Sequence, residues 1–561
     1  MSSPSPAPAA SVIRLPLAIF LLLVAAFLLP GLIGHEPWKQ DETYIFSIVH
    51  HMMQSGDWVV PHASGEPFME KPPLYYWVAA LLARGCSAGL PLHDGARLAT
   101  GLFMATTFLF VGLTARRWWG EGHGCAAVLV LMSCLGLVYE SHIMLTDVPM
   151  LTGFAIAGYG FALSRERPLA AGLWLGLGVG VGFLAKGLLV PGVLGVTALA
   201  LPALFSQWRE KTYARSLGIA LVAALPWLLI WPVALYLRSA PLFDEWFWMN
   251  NVGRFIGFSV NKLGASNNPW FWPKTLPWFA FPALPLAALT VWRRRCEIRR
   301  SAALQFGLVA FSVYLGVLLV SASARNGYGL PMLATLAVLA APAFATLPDT
   351  LNRRTDVVSR WFFTILAGFL WTVWILMRVT GHAPEWAFLT RSLPGDYVMP
   401  FHSVAFVVAL LATLAWLLSW SRLPLLKERG LTGMAAGITL SWLLFATLWL
   451  PWMDAGKSYR GVFTEMQPRL PEHYRQIASI GLDESASAML LYYCGVKTIH
   501  RELDPDTPFD VLLIQGRVKT GPVYTPAGWR QVWDGARQGD HREHFWLFLP
   551  PEKSPPLPTA K

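Results

Sequence analysis

The sequence predicts an all-α polytopic membrane protein that carries a small α/β domain at its C-terminal end. Three observations predict this. Only 14% of the 561 residues are charged while 55% are hydrophobic, and the mean hydropathy is +0.45. A soluble globular chain carries roughly 25% charged residues, so lipid is the solvent for most of this one. Apolar runs of about 20 residues, the length a helix needs to cross a bilayer core, recur along the chain. Beyond Pro451 that pattern stops, and short β-like runs take its place.

The rest of the composition agrees. Indoles collect at membrane–water interfaces, and there are 27 tryptophans. The net charge of +11 does not point to nucleic acid, because Lys and Arg sit in short loops between apolar runs, as orientation signals do. Cys86, Cys125, Cys134, Cys296 and Cys494 lack paired metal spacing and read as core thiols rather than a disulfide framework.

The elements follow in order. Arg14 precedes an apolar run from Leu15 to Ile33, read as a retained first span rather than a cleaved leader. Further spans are expected at 96–115, 123–140, 147–163, 169–186, 188–205, 216–237, 270–292, 302–321, 329–346, 361–379, 402–420 and 432–450. That makes about thirteen. Pro73 to Leu90 is also apolar, and basic residues arbitrate its place. Arg116-Arg117, Arg165/Arg167, Arg209/Lys211/Arg215, Arg293 to Arg300, Arg353-Arg354/Arg360 and Arg422/Lys427/Arg429 all fall on the side of the N-terminus if 73–90 does not cross. We therefore expect 73–90 to lie on the outer leaflet as an interfacial helix, with Tyr75, Tyr76 and Trp77 at headgroup depth.

This topology places outside the long 34–95 loop, a turn near Ser141–Asp147, the 238–269 loop and everything after Pro451. The chain divides into a membrane domain, 1–450, and a soluble domain, 451–561. The latter has β-like runs at Ile477–Gly481, Val496–His500, Val511–Gln515 and Trp546–Leu549 around a helical Glu484–Tyr493. The Pro-rich last residues read as disordered.

Chemistry concentrates in the first outer loop, which reads HEPWKQDETYIFSIVHHMMQSGDWVVPHASGEPFMEKPPLYYW from His35 to Trp77. Tyr44, Ile45, Ile48, Val49 and Met52 fall at helical spacing, so Asp41 and Glu42 open a helix whose positive end favours a carboxylate. Capping alone would account for Asp41. The second half of the loop adds Glu70-Lys71-Pro72-Pro73, a rigid turn that holds a lysine near a carboxylate. An ammonium beside a membrane-surface carboxylate suits a lipid-phosphate substrate, the cation binding phosphate and the carboxylate serving as general base. His50 and His51 are adjacent and cannot share a helix face, which argues against a zinc pair.

The order D-E, Y, M, G-D-W, P, then K-P-P-L-Y-Y-W resembles the first external loop of the bacterial lipid A aminoarabinose transferases. Those enzymes are GT-C glycosyltransferases, a class that also includes the protein O-mannosyltransferases. Similar features recur at Arg97-Leu98, Thr146-Asp147-Val148-Pro149, Leu184-Ala185-Lys186-Gly187 and the Ser321–Pro331 stretch with Tyr328. The resemblance implies a GT-C fold and transfer of 4-amino-4-deoxy-L-arabinose from undecaprenyl phosphate to a lipid A phosphate. The location implied is the periplasmic face of the bacterial inner membrane, with the N-terminus cytoplasmic and polymyxin resistance as the outcome. By residue match Asp41 resembles the catalytic acid and Lys71 the carrier-phosphate ligand. Family members have a His in the region of 250–269 or a metal near the position of Glu70. Here 250–269 reads NNVGRFIGFSVNKLGASNNP without a His, so no metal ligands are assigned and a divalent ion stays an open question.

The candidate catalytic residues are therefore Asp41, Glu42 and Asp147, and the candidate substrate-binding residues are Lys71, Glu70, Arg97, Arg254, Lys262, Arg325 and Tyr328. A lipid phosphate leaving group needs cations, which Lys71, Arg254, Lys262 and Arg325 would supply. Blander readings stand beside each: a solvated loop face for Arg254 and Lys262, headgroup snorkelling for Arg325 and Lys186, a helix cap for Asp147, an interfacial tyrosine for Tyr328. Arg97 would orient Asp41 and Glu42 from the start of its span. Two other functions remain: a GT-C transferase with a protein acceptor, and a flippase for a lipid-linked sugar. A transporter is expected to show internal repeats, and none is visible here.

Overall fold

The computed structural model describes residues 15–259, 268–391, 393, 397–422, 426, 428–501, 507–525, 527–537 and 543–551, and within them the predicted class holds. The first helices are α1 (Leu17–Leu28), α2 (Asp41–Ser55), α3 (Leu74–Cys86), α4 (Leu92–Trp119), α5 (His123–Met132), α6 (Leu135–Val138), α7 (Asp147–Leu163), α8 (Pro168–Lys186), α9 (Leu189–Leu204) and α10 (Lys211–Arg238). A two-residue hairpin, β1 (His62–Ala63) and β2 (Glu66–Pro67), lies between α2 and α3. The body continues with α11 (Phe271–Phe279), α12 (Ala283–Arg293), α13 (Ala302–Val320), α14 (Leu330–Ala340), α15 (Asp349–Thr380), α16 (Ser403–Ser419) and α17 (Arg429–Lys457).

Among the described residues six helices are long and apolar enough to cross a bilayer: α4, α8, α10, α13, α15 and α17. The α11–α12 pair passes the same test together but is bent by 88°. Six shorter apolar helices of 10–17 residues occupy the other predicted span positions. At 1.5 Å per residue such helices cover only part of the roughly 30 Å core.

Four expectations need correction. The single span at 270–292 is the bent pair, because Pro277 and Pro282 withdraw backbone donors where one straight helix would need them. The 123–140 run is not one helix either: α5 ends at Met132 and α6 begins at Leu135. Finally, two of the three α3 aromatics face inward, while Trp77 is half-buried. Tyr75 and Tyr76 are wholly buried against the helical body, and Tyr75 Oη is hydrogen-bonded to Thr100 at 2.7 Å. In addition, the helix expected to end at 450 runs on to Lys457.

Small residues bring the helices close. Gly172, Gly176 and Gly180 recur every four residues on one face of α8, and a Cβ at each would lie 2.3–2.5 Å from Ile219, Ala223 or Trp227 of α10. Lipid gives no hydrophobic drive for helix association, so such close packing carries it.

After α17 and a short helix, α18 (Arg460–Met466), the chain forms β3 (Ile477–Ile480), α19 (Glu484–Cys494), β4 (Thr498–His500), β5 (Val511–Gly516), β6 (Arg530–Ala536) and β7 (His544–Leu549). The sheet order is β4-β3-β5-β7-β6, with β3 parallel to β4 and β5, and β7 antiparallel to β5 and β6. Val511 through Ile514 are all buried because both faces of this central strand are covered. The sheet region is fastened to the 34–95 loop. Arg460 pairs with Glu36 at 2.6 Å, Tyr493 donates to Glu36 at 2.8 Å, and Thr43 donates to Ser485 at 2.8 Å.

Inside that loop lies a buried ion cluster. Arg97, wholly buried, donates Nε to Glu42 Oε1 at 2.7 Å and Nη1 to Asp94 Oδ1 at 2.8 Å. It also reaches the carbonyls of Leu32 and His35 at 3.3 and 3.2 Å. Glu42 accepts from the backbone N–H groups of Trp38 and Met144, both at 3.0 Å. One guanidinium thus ties the end of α1, the start of α2, α4 and the turn before α7. Removing one partner of a buried pair costs about 3–5 kcal/mol, since the other charge is left uncompensated. Glu42→Gln is therefore expected to lower the thermal unfolding midpoint in detergent sharply, and unaltered unfolding would show that this cluster does not hold the loop.

Candidate active site

The 34–95 loop and the sheet region meet at one end of the body, where three cavities lie, two of which contain the predicted residues. The larger, of about 390 Å³, has a polar head formed by Lys71, Lys186, Arg254 and Tyr328. Its other end is apolar, lined by Leu189, Val193, Val196 and Val317, and Val196 is 51% exposed. Glu70 lines this groove and also the next chamber, of about 220 Å³, which holds Asp41, Tyr44 and Arg325.

Asp41 is the first residue of α2, as predicted. Tyr44, one turn later, donates its hydroxyl to Asp41 Oδ1 at 2.6 Å, and Lys71 Nζ in turn donates to Tyr44 Oη. Burial, with Asp41 next, pushes the Tyr44 phenol well above its ordinary range, so it stays protonated and a donor. Burial and the nearby Lys186 push the Lys71 ammonium down to about 8, against the pull of Asp41, Glu70 and Asp147. Burial alone would raise Glu70, but Lys71 and Arg254 hold its carboxyl below the usual range. Arg254 donates to both Glu70 oxygens, at 3.1 and 3.4 Å.

Asp147 opens α7 and is buried. Its Oδ2 accepts from Lys186 Nζ at 2.6 Å, while Oδ1 is buried without a partner. Lys186 also sits 4.8 Å from the centre of the Tyr328 ring. The lysine read as snorkelling is in fact turned into the groove, because α7 starts where the antiparallel α8 ends.

The structure therefore brings together Asp41, Glu70, Lys71, Asp147, Arg254, Arg325 and Tyr328. It places Glu42 and Arg97 elsewhere: both are spent on the ion cluster and line neither cavity, so the catalytic reading of Glu42 and the substrate-binding reading of Arg97 are corrected to positioning the loop. Lys262 lies outside the described residues. Sequence reasoning missed Tyr44, taken only for its apolar spacing, and Glu140. Burial first, then Asp147 and Asp41, push the Glu140 carboxyl up to about 8. Among the described residues no group of three or more His, Cys, Asp or Glu is placed to hold a metal ion, and both Glu70 oxygens are engaged by Arg254. These residues do not fit a metal centre.

A helical membrane body with its charged groups gathered at one end, beside a groove with apolar walls, is the arrangement of a GT-C fold. Its fold is that of a crystal structure of ArnT from Cupriavidus metallidurans bound to undecaprenyl phosphate, with a TM-score of 0.66 at 17% identity, covering 95% of this chain and 97% of the other. Residues 70–236 match the family model of dolichyl-phosphate-mannose-protein mannosyltransferases. The chain is also similar to proteins named undecaprenyl phosphate-alpha-4-amino-4-deoxy-L-arabinose arabinosyl transferase. That of Pseudomonas aeruginosa strain UCBPP-PA14 is 29% identical over 335 residues, 57% of this chain and 58% of the relative. A second one, from Pseudomonas fluorescens strain Pf-5, is 31% identical over 352 residues, 60% and 57% respectively. The matched region thus spans less than two thirds of these relatives.

An ammonium with a pKa near 8 gives a directional test. Lys71 is charged below about 8 and neutral above it, so its hold on an anionic ligand weakens as pH rises through that value. If an anionic lipid is bound here, kcat/KM for it should fall about tenfold per pH unit above 8. In Lys71→Arg, whose guanidinium stays charged, the fall should move to far higher pH. A fall that stays near 8 in that variant would assign it to Glu140 instead.

Proposed function

We propose that the chain is a polyprenyl-phosphate-dependent glycosyltransferase that moves 4-amino-4-deoxy-L-arabinose from undecaprenyl phosphate to a lipid A phosphate. The observation that carries this reading is the groove itself: three cations at its head, apolar walls behind them and Asp41 in the adjoining chamber. That is the shape of an anionic lipid with a long chain and a reacting headgroup. The names of the similar proteins support the sugar and the carrier, and the order of the loop motif supports lipid A as acceptor.

In the reaction, an oxygen of the acceptor phosphate attacks the anomeric carbon of the sugar. The bond from that carbon to the carrier phosphate oxygen breaks, and its electron pair stays on the departing lipid phosphate. Lys71, Lys186 and Arg254 neutralise the charge that develops there, in a site with little water to screen it. The acceptor phosphate has a second pKa of about 6 and is already a nucleophile at neutral pH. Asp41 orients it and takes its last proton when one remains. Asp147 aligns Lys186, and Tyr44 couples Lys71 to Asp41.

The basic loops at the opposite end of the helices support an N-terminus in the cytoplasm, with the site on the periplasmic side of the inner membrane. On the same reading, residues 1–450 make the membrane domain and 451–561 the soluble one, the last turns of α17 linking them. The match to the mannosyltransferase family model supports a second reading, with a protein acceptor.

Purified protein given the aminopentose donor and lipid A in detergent should raise the mass of lipid A by one aminopentose. Asp41→Asn should slow this at least about 100-fold, the lower end of general acid–base contributions. No mass gain from folded, donor-bound protein would refute the reading, and sugar transfer to a Ser/Thr peptide instead would favour the protein acceptor.

A further inference from the structure

A third cavity, of about 140 Å³, opens between the β1–β2 hairpin and the C-terminal sheet region. It shares Phe68 and Glu484 with the Asp41 chamber, which shares Glu70 with the larger groove, so the three run in series. The space is roughly ten times what a single water needs. Its walls are part apolar, with Phe68, Leu482 and Leu491, and part polar, with the carboxylates of Glu66 and Glu484 beside the groups that follow. Ser64 comes from the hairpin turn, Ser487 from α19, and Lys497 and His500 from the segment that forms β4.

Two of these hydroxyls lack a protein partner. Ser64 Oγ and Ser487 Oγ are closed to solvent and make no hydrogen bond, and Ser487 as a whole is 6% exposed. Buried polar groups in folded proteins are almost always paired, so two open hydroxyls on one small chamber mark positions that a ligand would satisfy. Lys497 adds charge. Its ammonium lies across the hairpin turn, 3.0 Å from where a Cβ of Gly65 would stand. Gly65 at φ +84° and Ser64 at φ +54° both take the left-handed conformation that a two-residue hairpin turn requires, which lets the lysine approach the backbone. Among the described residues Lys497 makes no ion pair, and Glu66 and Glu484 stand elsewhere on the chamber wall.

The geometry points to this chamber as the subsite for the acceptor's headgroup, an anionic phosphorylated sugar whose hydroxyls meet Ser64 and Ser487 and whose phosphate meets Lys497 and His500. The identification of the ligand rests on the proposed function, while the chamber and its open groups do not. The sheet region then has a job in the reaction: it builds half of the acceptor site and presents it to Asp41 past Glu484.

The test separates binding from turnover. The full chain in detergent is titrated with an acyl-free, bis-phosphorylated glucosamine disaccharide, and binding is read by calorimetry. The parent should bind, Lys497→Met and Ser487→Ala should each bind at least tenfold more weakly, and Lys497→Arg should recover most of the affinity. Ser487→Ala removes an unpartnered hydroxyl and should unfold no earlier than the parent, which excludes misfolding as the cause. Equal affinity in parent, Lys497→Met and Ser487→Ala would overturn the subsite, as would absence of binding to the parent. Turnover then judges the other reading independently: a parent that binds the disaccharide but never glycosylates lipid A keeps the subsite and loses the proposed function.

Discussion

The arrangement depends on one buried guanidinium. Arg97 is enclosed without solvent contact, and its donors are matched by Glu42, Asp94 and two backbone carbonyls. A charge taken out of water is tolerated only when its hydrogen bonds are met, so these groups cannot drift apart singly. Glu42 is the next residue after Asp41, and fixing one carboxylate fixes the helix turn that presents the other. The neighbouring Asp-Glu pair thus splits its labour, one side chain turned into the protein and one turned into the chamber.

The site beyond the cluster is built from competing burial and charge. Lys71 is enclosed enough to lose much of its preference for the proton, yet Asp41, Glu70 and Asp147 keep it from being lost altogether. Lys186 is held by one oxygen of Asp147 and faces the Tyr328 ring, while the second oxygen has no partner. In the proposed reaction a lipid phosphate competes with Glu70 and Asp147 for Arg254 and Lys186, and joins Lys71 between them. On the same proposal, the apolar walls behind them take the lipid chain. The sheet region closes the far side through Lys39, which pairs with Asp483 at 2.6 Å and with Glu543.

Much of this was legible from residues alone, because local signals carry it. The charge content gave a lipid solvent, and α7 and α8 begin and end close to the predicted positions. Asp41 and Lys71 stood out because a short loop holds carboxylate, lysine and paired prolines together. What failed was long-range pairing. Lys186 meets Asp147 across 39 positions and Arg97 meets Glu42 across 55, and periodicity says nothing about either. Tyr75 and Tyr76 read as interfacial because an aromatic pair next to an apolar helix fits both an interface and a core. The edge strand Arg530–Ala536 escaped notice since Arg530, Gln531 and Asp534 are polar and exposed and break its apolar run.

The central claim is that the lipid phosphate sits under Lys71 and Arg254 with its sugar turned toward Asp41. A cryo-electron microscopy structure of the full chain with a non-transferable analogue of the aminopentose donor tests it directly. The account predicts the analogue's phosphate in contact with Lys71 and Arg254, its polyprenyl chain along Val193 and Val317, and its anomeric carbon facing the Asp41 chamber. A phosphate bound away from these cations, or a sugar pointing away from Asp41, would contradict it.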